Sequence, residues 1–186
     1  MDMNRRKILR TIPVCAMGWT GSSWAKESTM DFRLVESVRM GRIVNDGVMG
    51  GVSQSSLRPD PEGVFFEGVV SLANNGGFAS MRLPAHFPQS TNALELVVRG
   101  ESKRYKLILR TEKASQVVYE SEFLAAATWQ PHRFKAEEFK PTFRGRMVQA
   151  PTLAFPDVSE VGILIADKQE GDFRLQIKTL TALAHD

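Results

Sequence analysis

The chain of 186 residues has a single cysteine, Cys15, and only three histidines, His86, His132 and His185. One cysteine cannot form an internal disulfide or supply a multi-cysteine metal or iron–sulfur site. No two histidines have the close spacing of a histidine-based zinc motif. The sequence also lacks a Gly-x-Ser-x-Gly nucleophile elbow and a Gly-x-Gly-x-x-Gly dinucleotide motif. We therefore expect no cofactor, no metal and no enzymatic activity.

Long hydrophobic runs are also absent, and this bears on the N-terminus. A basic segment, Arg5–Arg10, precedes a short apolar stretch from Ile12 to Trp19, and Ser23–Ala25 fits a cleavage site before Lys26. The apolar stretch is too short to cross a membrane, so we predict an export signal over residues 1–25, of the twin-arginine or the ordinary secretory type. We expect a periplasmic or otherwise exported protein with no stable membrane span after signal removal. The alternative is a chain anchored in the membrane by an uncleaved N-terminal segment.

The excess of positive charge belongs mainly to this predicted signal. The full chain has 24 Lys and Arg and 21 Asp and Glu, and residues 1–25 hold four of the former and one of the latter. Residues 26–186 therefore carry 24 − 4 = 20 basic and 21 − 1 = 20 acidic residues. A balanced chain lacks the electrostatic attraction on which nucleic-acid binding depends, so we expect no nucleic-acid partner.

Alternating apolar and polar residues predict an all-β chain over residues 26–186, forming a single β-sandwich or jelly-roll domain of seven to nine short strands. Helical turns are expected at 124–128 and 136–139, and hairpins at 74–77 and 166–173. The runs with strand periodicity are 65–72, 78–83, 93–100, 104–111, 117–124, 161–167 and 172–183.

The segment VNDGVMGGVSQSS, residues 44–56, is too rich in glycine for a helix. Its glycines permit tight backbone turns, and Asn45 and Asp46 can turn the chain through their own side chains. We expect Val48 and Met49 to be buried as a plug at one end of the sandwich. The loop then either closes that end or forms the rim of a binding site to which Asn45 and Asp46 present polar atoms.

Three other features are candidates for binding. Arg82 could pair with a glutamate on a neighbouring strand or with a ligand, and the loop Arg144–Arg146 could contact an anion. Four aromatic residues on strand positions could form the core or a platform for sugar stacking. These are Tyr105, Tyr119, Phe123 and Trp129.

Five segments together resemble the complex I intermediate-associated protein 30 family, over roughly Phe32 to Ala182. The resemblance implies a galactose-binding-like jelly roll without catalytic activity. Eukaryotic members are assembly factors of respiratory complex I, which implies protein–protein contacts and a protein partner. The segments are VNDGVMGGVSQSS, ANNGGFASMRL, KRYKLILRT, RGRMVQAPTL and VGILIADKQEGDFRLQIKTL.

The galactose-binding-like fold also serves as a carbohydrate-binding module in other proteins, so an exported carbohydrate-binding protein is the alternative function. A hydrolase would need two carboxylates or a histidine facing one another in a cleft. For a binding protein, the loop of residues 44–56 and its expected neighbours are the candidate site. The predicted binding residues are Asn45, Asp46, Met49, Gly50, Gly51, Ser53, Asn75, Gly76, Gly77, Phe78, Arg82, Asp167 and Lys168.

Overall fold

The structure, a computed structural model, describes residues 24–185. The predicted signal, residues 1–25, lies outside the described residues except for Trp24 and Ala25, which begin the first strand. A cut before Lys26 would fall inside that strand; the export signal itself stays a prediction. Within the described part of the chain, no helix has the length and apolar character needed to cross a membrane.

Two antiparallel sheets form the domain, as the alternation predicts, but the described residues contain thirteen strands instead of the expected seven to nine. The six-stranded sheet contains β1 (Trp24–Asp31), β3 (Gln54–Asp60), β4 (Gly63–Val70), β6 (Thr91–Arg99), β9 (Gln130–Lys135) and β13 (Gly171–His185). The seven-stranded sheet contains β2 (Arg42–Asn45), β5 (Ala79–Pro84), β7 (Arg104–Thr111), β8 (Val118–Leu124), β10 (Lys140–Phe143), β11 (Arg146–Met147) and β12 (Val158–Ile165). A short helix, α1 (Val35–Arg39), precedes β2.

The long strand β13 is the centre of the six-stranded sheet. The strand order is β3-β4-β13-β6-β9, and β1 also pairs with β13. Residues Gly171–Ile177 of β13 pair with β4, whereas the part from Thr179 to His185 pairs with β1. One strand of 15 residues therefore joins three others. The seven-stranded sheet has the order β11-β10-β8-β7-β12-β5-β2.

The core lies between the sheets, on the faces that the period-two pattern predicts. On β5, Ala79, Met81 and Leu83 are buried while Arg82 points to the outer face. Edge-to-face packing joins Phe66 of β4 to Phe173 of β13, with ring centroids 4.9 Å apart. Each such buried side chain stabilises the fold by roughly 1.5–3 kcal/mol relative to its exposed state.

Both predicted connections of hairpin type are wrong. Strands β4 and β5 belong to different sheets, so residues 74–77 carry the chain from one sheet to the other; β12 and β13 are related in the same way. Asn74 and Asn75 have positive φ of 55° and 60°, and Gly77 has φ of 131°. Successive positive φ values also occur in tight hairpin turns, so the connection is a crossing because β5 belongs to the other sheet and not because of these angles. Of the predicted helical turns, 136–139 contains a 3₁₀ turn at Ala136–Glu138, whereas 124–128 is not helical.

Candidate functional site

The glycine-rich segment forms a compact loop that carries the chain from β2 in one sheet to β3 in the other. It begins with a 3₁₀ turn, Asp46–Met49, and Gly50 then adopts a left-handed φ of 90°. The turn is closed by backbone hydrogen bonds from Gly50 N to Gly47 O and from Gly51 N to Asp46 O, at 3.2 and 3.1 Å. The left-handed residue is a glycine because other residues rarely adopt that conformation without strain.

A fully buried carboxylate holds this loop in place. Asp46 has no exposed surface, and its two oxygens accept four hydrogen bonds from Ser53, Gly77 and Phe78. Oδ1 accepts from the Ser53 N–H at 2.9 Å. Oδ2 accepts from the Ser53 hydroxyl and from the N–H groups of Gly77 and Phe78, at 2.7 and 3.3 Å for the latter two. Asp46 therefore ties its own loop to the crossing segment that follows β4.

The charge of Asp46 is stabilised by these donors. Burial alone acts to raise the pKa of the Asp46 carboxyl. The hydrogen bonds from Ser53, Gly77 and Phe78 act in the opposite direction and prevail, so the pKa of Asp46 lies below its ordinary value. Asp46 is thus an ionised structural group near neutral pH.

Two glycines allow the carboxylate to fit. A Cβ at Gly51 would lie 2.4 Å from Cγ of Asp46, and one at Gly76 would lie 2.6 Å from its Oδ2. Both distances are far shorter than van der Waals contact. Gly51 is therefore required by close packing. At Gly50 an added Cβ would meet no atom within 4 Å, so this glycine is required by its φ angle instead.

The polar residues beside Asp46 also bond within the protein. The Asn45 carboxamide donates to Ser53 O at 3.4 Å and accepts from the Ser55 hydroxyl at 2.8 Å. The hydroxyl of Ser53 accepts from Ser71 N at 2.9 Å, a contact that the sequence does not reveal. The expectation that Asn45 and Asp46 present polar atoms to a ligand is therefore wrong, because their polar groups are used to build the loop.

Apolar side chains are what the loop presents to solvent. Val48, Met49 and Val52 are 75%, 58% and 50% exposed. The expectation that Val48 and Met49 are a buried plug is wrong, because Asp46 and Ser53 turn inward and fill the end of the sandwich instead. We call Val48, Met49 and Val52 the apolar knob. Val52 was missed in the sequence, although it is a further apolar residue between Gly51 and Ser53.

The other predicted site residues are only partly brought together. Asn75, Gly76, Gly77 and Phe78 lie in the crossing segment that Asp46 binds. The same crossing segment is also joined to the turn before β13, because Glu170 accepts a hydrogen bond from Leu72 N at 3.4 Å. The sequence does not predict this contact.

Asp167 and Lys168 occupy the turn after β12, both with φ of 59°. Asp167 forms an ion pair with Lys106 at 3.0 Å on the outer face of the seven-stranded sheet. Arg82 lies apart from the loop, three residues along β5 from Ala79, and its Nη1 is 3.6 Å from a carboxylate oxygen of Glu160. Pairing with a glutamate of a neighbouring strand is thus what the structure shows for Arg82.

The aromatic residues do not form a platform on the surface. Tyr105, Tyr119 and Phe123 are buried between the sheets, with exposures of 0%, 2% and 5%. Trp129 is partly exposed, but Arg99 and Lys178 lie over its ring at 4.6 and 4.2 Å from the centroid. Of the two alternatives, packing in the core is therefore correct for Tyr105, Tyr119 and Phe123, and the four residues do not form a stacking platform for sugars.

The fold and the loop define the class of the protein as a jelly-roll-like β-sandwich with a rigid loop at one end. The model of the complex I intermediate-associated protein 30 family matches residues 30–177, and the chain belongs to this family. An uncharacterized protein of Schizosaccharomyces pombe is 27% identical over 168 residues, which cover 76% of this chain and 77% of that protein.

Solved structures with a similar fold include carbohydrate-binding modules. The family 11 module of a cellulosomal cellulase of Clostridium thermocellum superposes with a TM-score of 0.58 at 9% identity, covering 89% of this chain and 97% of the module. A second structure of the family 11 module from Clostridium thermocellum, in complex with a β-1,3-1,4-mixed-linked tetrasaccharide, gives 0.50 at 9% identity, covering 76% and 86%. At this identity the likeness shows the fold alone.

Proposed function

We propose that this protein is a non-enzymatic binding protein of the assembly-factor type, which docks on a partner protein through the apolar knob. The observation that carries the proposal is the combination of a buried, fully bonded Asp46 with three exposed apolar side chains on the same loop. Family membership, whose description refers to intermediates of complex I, supports a role in assembly.

The loop is already ordered before a partner protein binds. Burying apolar surface contributes roughly 25 cal/mol per Å², so Val48, Met49 and Val52 together supply a useful part of a binding free energy. Association normally loses part of such a gain to the ordering of flexible loops. Here Asp46 already fixes the loop, so that loss is small. Exposed apolar side chains on a rigid protrusion are typical of a docking contact.

Site-specific photo-crosslinking in the source cells tests this function. We expect a photoreactive residue at position 49 to crosslink to one defined partner protein, whereas the same residue in place of Met147, which is 72% exposed on β11, should not. The double variant Val48→Ser/Met49→Ser should lower the affinity for that partner about tenfold or more while changing stability by less than about 0.5 kcal/mol. Equal crosslinking from both positions, or unchanged affinity of the double variant, would contradict the proposal.

Carbohydrate binding is the second candidate, favoured by a polar cleft on the outer face of the seven-stranded sheet. The cleft has a volume of about 420 Å³ and is lined by Lys106, Glu120, Glu122, Lys140 and Met147, among others. Lys106 Nζ lies 2.8 Å from a carboxylate oxygen of Glu120. This ion pair fixes an ammonium and a carboxylate group in the cleft, where both can form hydrogen bonds with sugar hydroxyls.

Isothermal titration with soluble β-glucan oligosaccharides checks this candidate. Binding should weaken about tenfold in Glu122→Ala, because this exposed carboxylate lines the cleft. Glu112→Ala, which alters an exposed glutamate in the turn after β7, is the control and should bind like the unmodified protein. Absence of heat with every oligosaccharide tried would remove this candidate and leave the docking function untouched.

A further inference from the structure

Three arginines lie around one carboxylate on the outer face of the seven-stranded sheet, and two of them pair with it. Arg42 of β2 bonds to Glu160 of β12, and Arg82 of β5 is the second cation beside the same side chain. Arg110 of β7 lies directly opposite Glu160 in the strand register. This cluster lies toward the end of the sheet away from the apolar knob, because β2 runs from Arg42 to Asn45, where the loop begins.

The cluster is short of negative charge. Three guanidinium groups face a single carboxylate, whereas on the same face the single ammonium of Lys106 contacts two carboxylates, Glu120 and Asp167. Arg110 uses one N–H group to bond Ser115 O and has no ion pair among the described residues. Buried or half-buried charges are normally compensated by opposite charges and hydrogen bonds. The arginine cluster therefore carries positive charge that Glu160 alone does not compensate, and a second anion would compensate it.

The hydrogen bonding of Arg82 is also incomplete. Its side chain is 14% exposed, and its Nε has no hydrogen-bond partner in the part of the chain that is described. The 3.6 Å separation from Glu160 is an ion pair but is longer than a hydrogen bond. Burial lowers the pKa of the Arg82 guanidinium, and the nearby charges of Arg110 and Arg42 lower it further against the opposing effect of Glu160. Oε1 of Glu160, beside Arg82, also lacks a hydrogen-bond partner among the described residues, so this ion pair leaves both a donor and an acceptor available for a ligand or a water molecule.

The position of Arg82 is fixed by packing. Gly162 of β12 lies beside Arg82 in the register, and a Cβ there would stand 3.2 Å from Cγ of Arg82 and 2.3 Å from the backbone O of Met81. The absence of a side chain at Gly162 lets Arg82 lie flat across the sheet. The aliphatic part of Arg82 packs over Gly162, so this part of the side chain loses little further conformational freedom when the guanidinium binds a ligand.

We propose that Arg42, Arg82 and Arg110 form a binding site for an oxyanion, either the carboxylates of an acidic partner segment or a phosphate. Guanidinium groups bind both through paired N–H···O bonds, and the two share the same chemistry at this site. In the bound state Arg42, the most exposed of the three at 60%, turns from Glu160 toward the ligand. The site does not depend on the apolar knob, so a failure of the crosslinking experiment would leave it unaffected.

NMR of the arginine side chains tests the site directly. The full chain, labelled with ¹⁵N, is titrated with inorganic phosphate and separately with an acetylated hexaglutamate peptide at low ionic strength, where charge attraction is least screened. We expect a saturable shift of the Arg82 Nε–H signal. Arg110→Gln and Arg42→Gln should each weaken binding about tenfold. The control Arg133→Gln, which removes an exposed arginine paired with Glu95 on the other sheet at 2.8 Å, should bind like the unmodified protein.

The two titrations identify the source of the oxyanion. Saturation by the peptide at concentrations well below those needed for phosphate assigns the site to an acidic protein segment, and the reverse order assigns it to phosphate. Either result supports an oxyanion site. No saturable shift with either probe would overturn the proposal, as would equal affinities in the unmodified protein, Arg42→Gln and Arg110→Gln. Because Arg42 is exposed, its variant is expected to fold even if Arg110→Gln does not.

Discussion

Replacing Asp46 with alanine is expected to lower the free energy of unfolding by about 3–5 kcal/mol. The substitution removes the acceptor for four hydrogen bonds and leaves the backbone N–H groups of Ser53, Gly77 and Phe78, which are buried or partly buried, without this partner. Because those donors belong to both the loop and the crossing segment, both should lose their fixed conformation together. Among the described residues of the candidate site, no other side chain accepts as many hydrogen bonds as Asp46.

Urea unfolding followed by circular dichroism measures this effect. The control is Asp157→Ala, which breaks an exposed ion pair with Lys113 at 2.7 Å and should cost no more than about 1 kcal/mol. A loss below about 1 kcal/mol for Asp46→Ala would show that the network contributes little and that the loop is held by other contacts.

The same carboxylate predicts how stability depends on pH. Its pKa is lower in the folded state than in the unfolded chain, so the folded state binds the proton less readily. The stabilisation by Asp46 is therefore fully present above the pKa of the unfolded chain, about 4, and is lost as the pH falls through the lower folded value. In Asp46→Asn, the free energy of unfolding should fall less between neutral and acidic pH than in the unmodified protein. Unfolding measurements at each pH check this.

Alanine at Gly51 is expected to destabilise the protein by about 2–4 kcal/mol, because the new Cβ would displace the Asp46 carboxylate. Two neighbouring glycines separate this clash from other effects. Gly50→Ala meets no atom within 4 Å but keeps a φ of 90°, so it should cost about 1 kcal/mol through backbone strain. Gly47→Ala has neither a contact nor a positive φ and should change stability by less than about 0.5 kcal/mol.

Thermal and urea unfolding of the three variants measure how much each substitution lowers the stability, and so give the order of the three effects. If Gly51→Ala cost no more than Gly50→Ala, the clash with Asp46 would be weaker than the structure indicates, because Gly51 has no positive φ to add backbone strain. A large effect at Gly47 would show that the exposed turn is packed more tightly than the structure indicates.

Period-two alternation predicted the inner faces of several strands correctly. The alternate apolar residues of β5, β6 and β7 are buried as the pattern predicts, but Ser80, Ala93 and Ile108 on the opposite faces are buried as well. Strand β9, with the sequence QPHRFK, was not predicted because polar residues occupy both of its faces at the edge of the sheet. Edge strands carry a weak pattern because only one neighbour and one face constrain them.

The candidate site shows what local sequence can and cannot specify. The Asn-Asp and Gly-Gly pairs correctly indicated tight backbone in residues 44–56. The sequence could not show that Asp46 faces inward, because its partner Gly77 is 31 residues away and reaches it only once both sheets are in place. The same limit explains the two wrong hairpins, since turn residues specify a change of direction but not the sheet to which the next strand belongs.

The central position of β13 determines when the sandwich can close during synthesis. This strand lies between β4 and β6, pairs with β1, and is the last strand of the described chain to leave the ribosome. Until then β1, β4 and β6 have apolar faces but lack their common neighbour, and most of the pairing must join residues far apart in sequence. The six-stranded sheet therefore cannot be completed before residue 185 has been translated, and unpaired strand edges of the kind that β4 and β6 have without β13 are prone to aggregation.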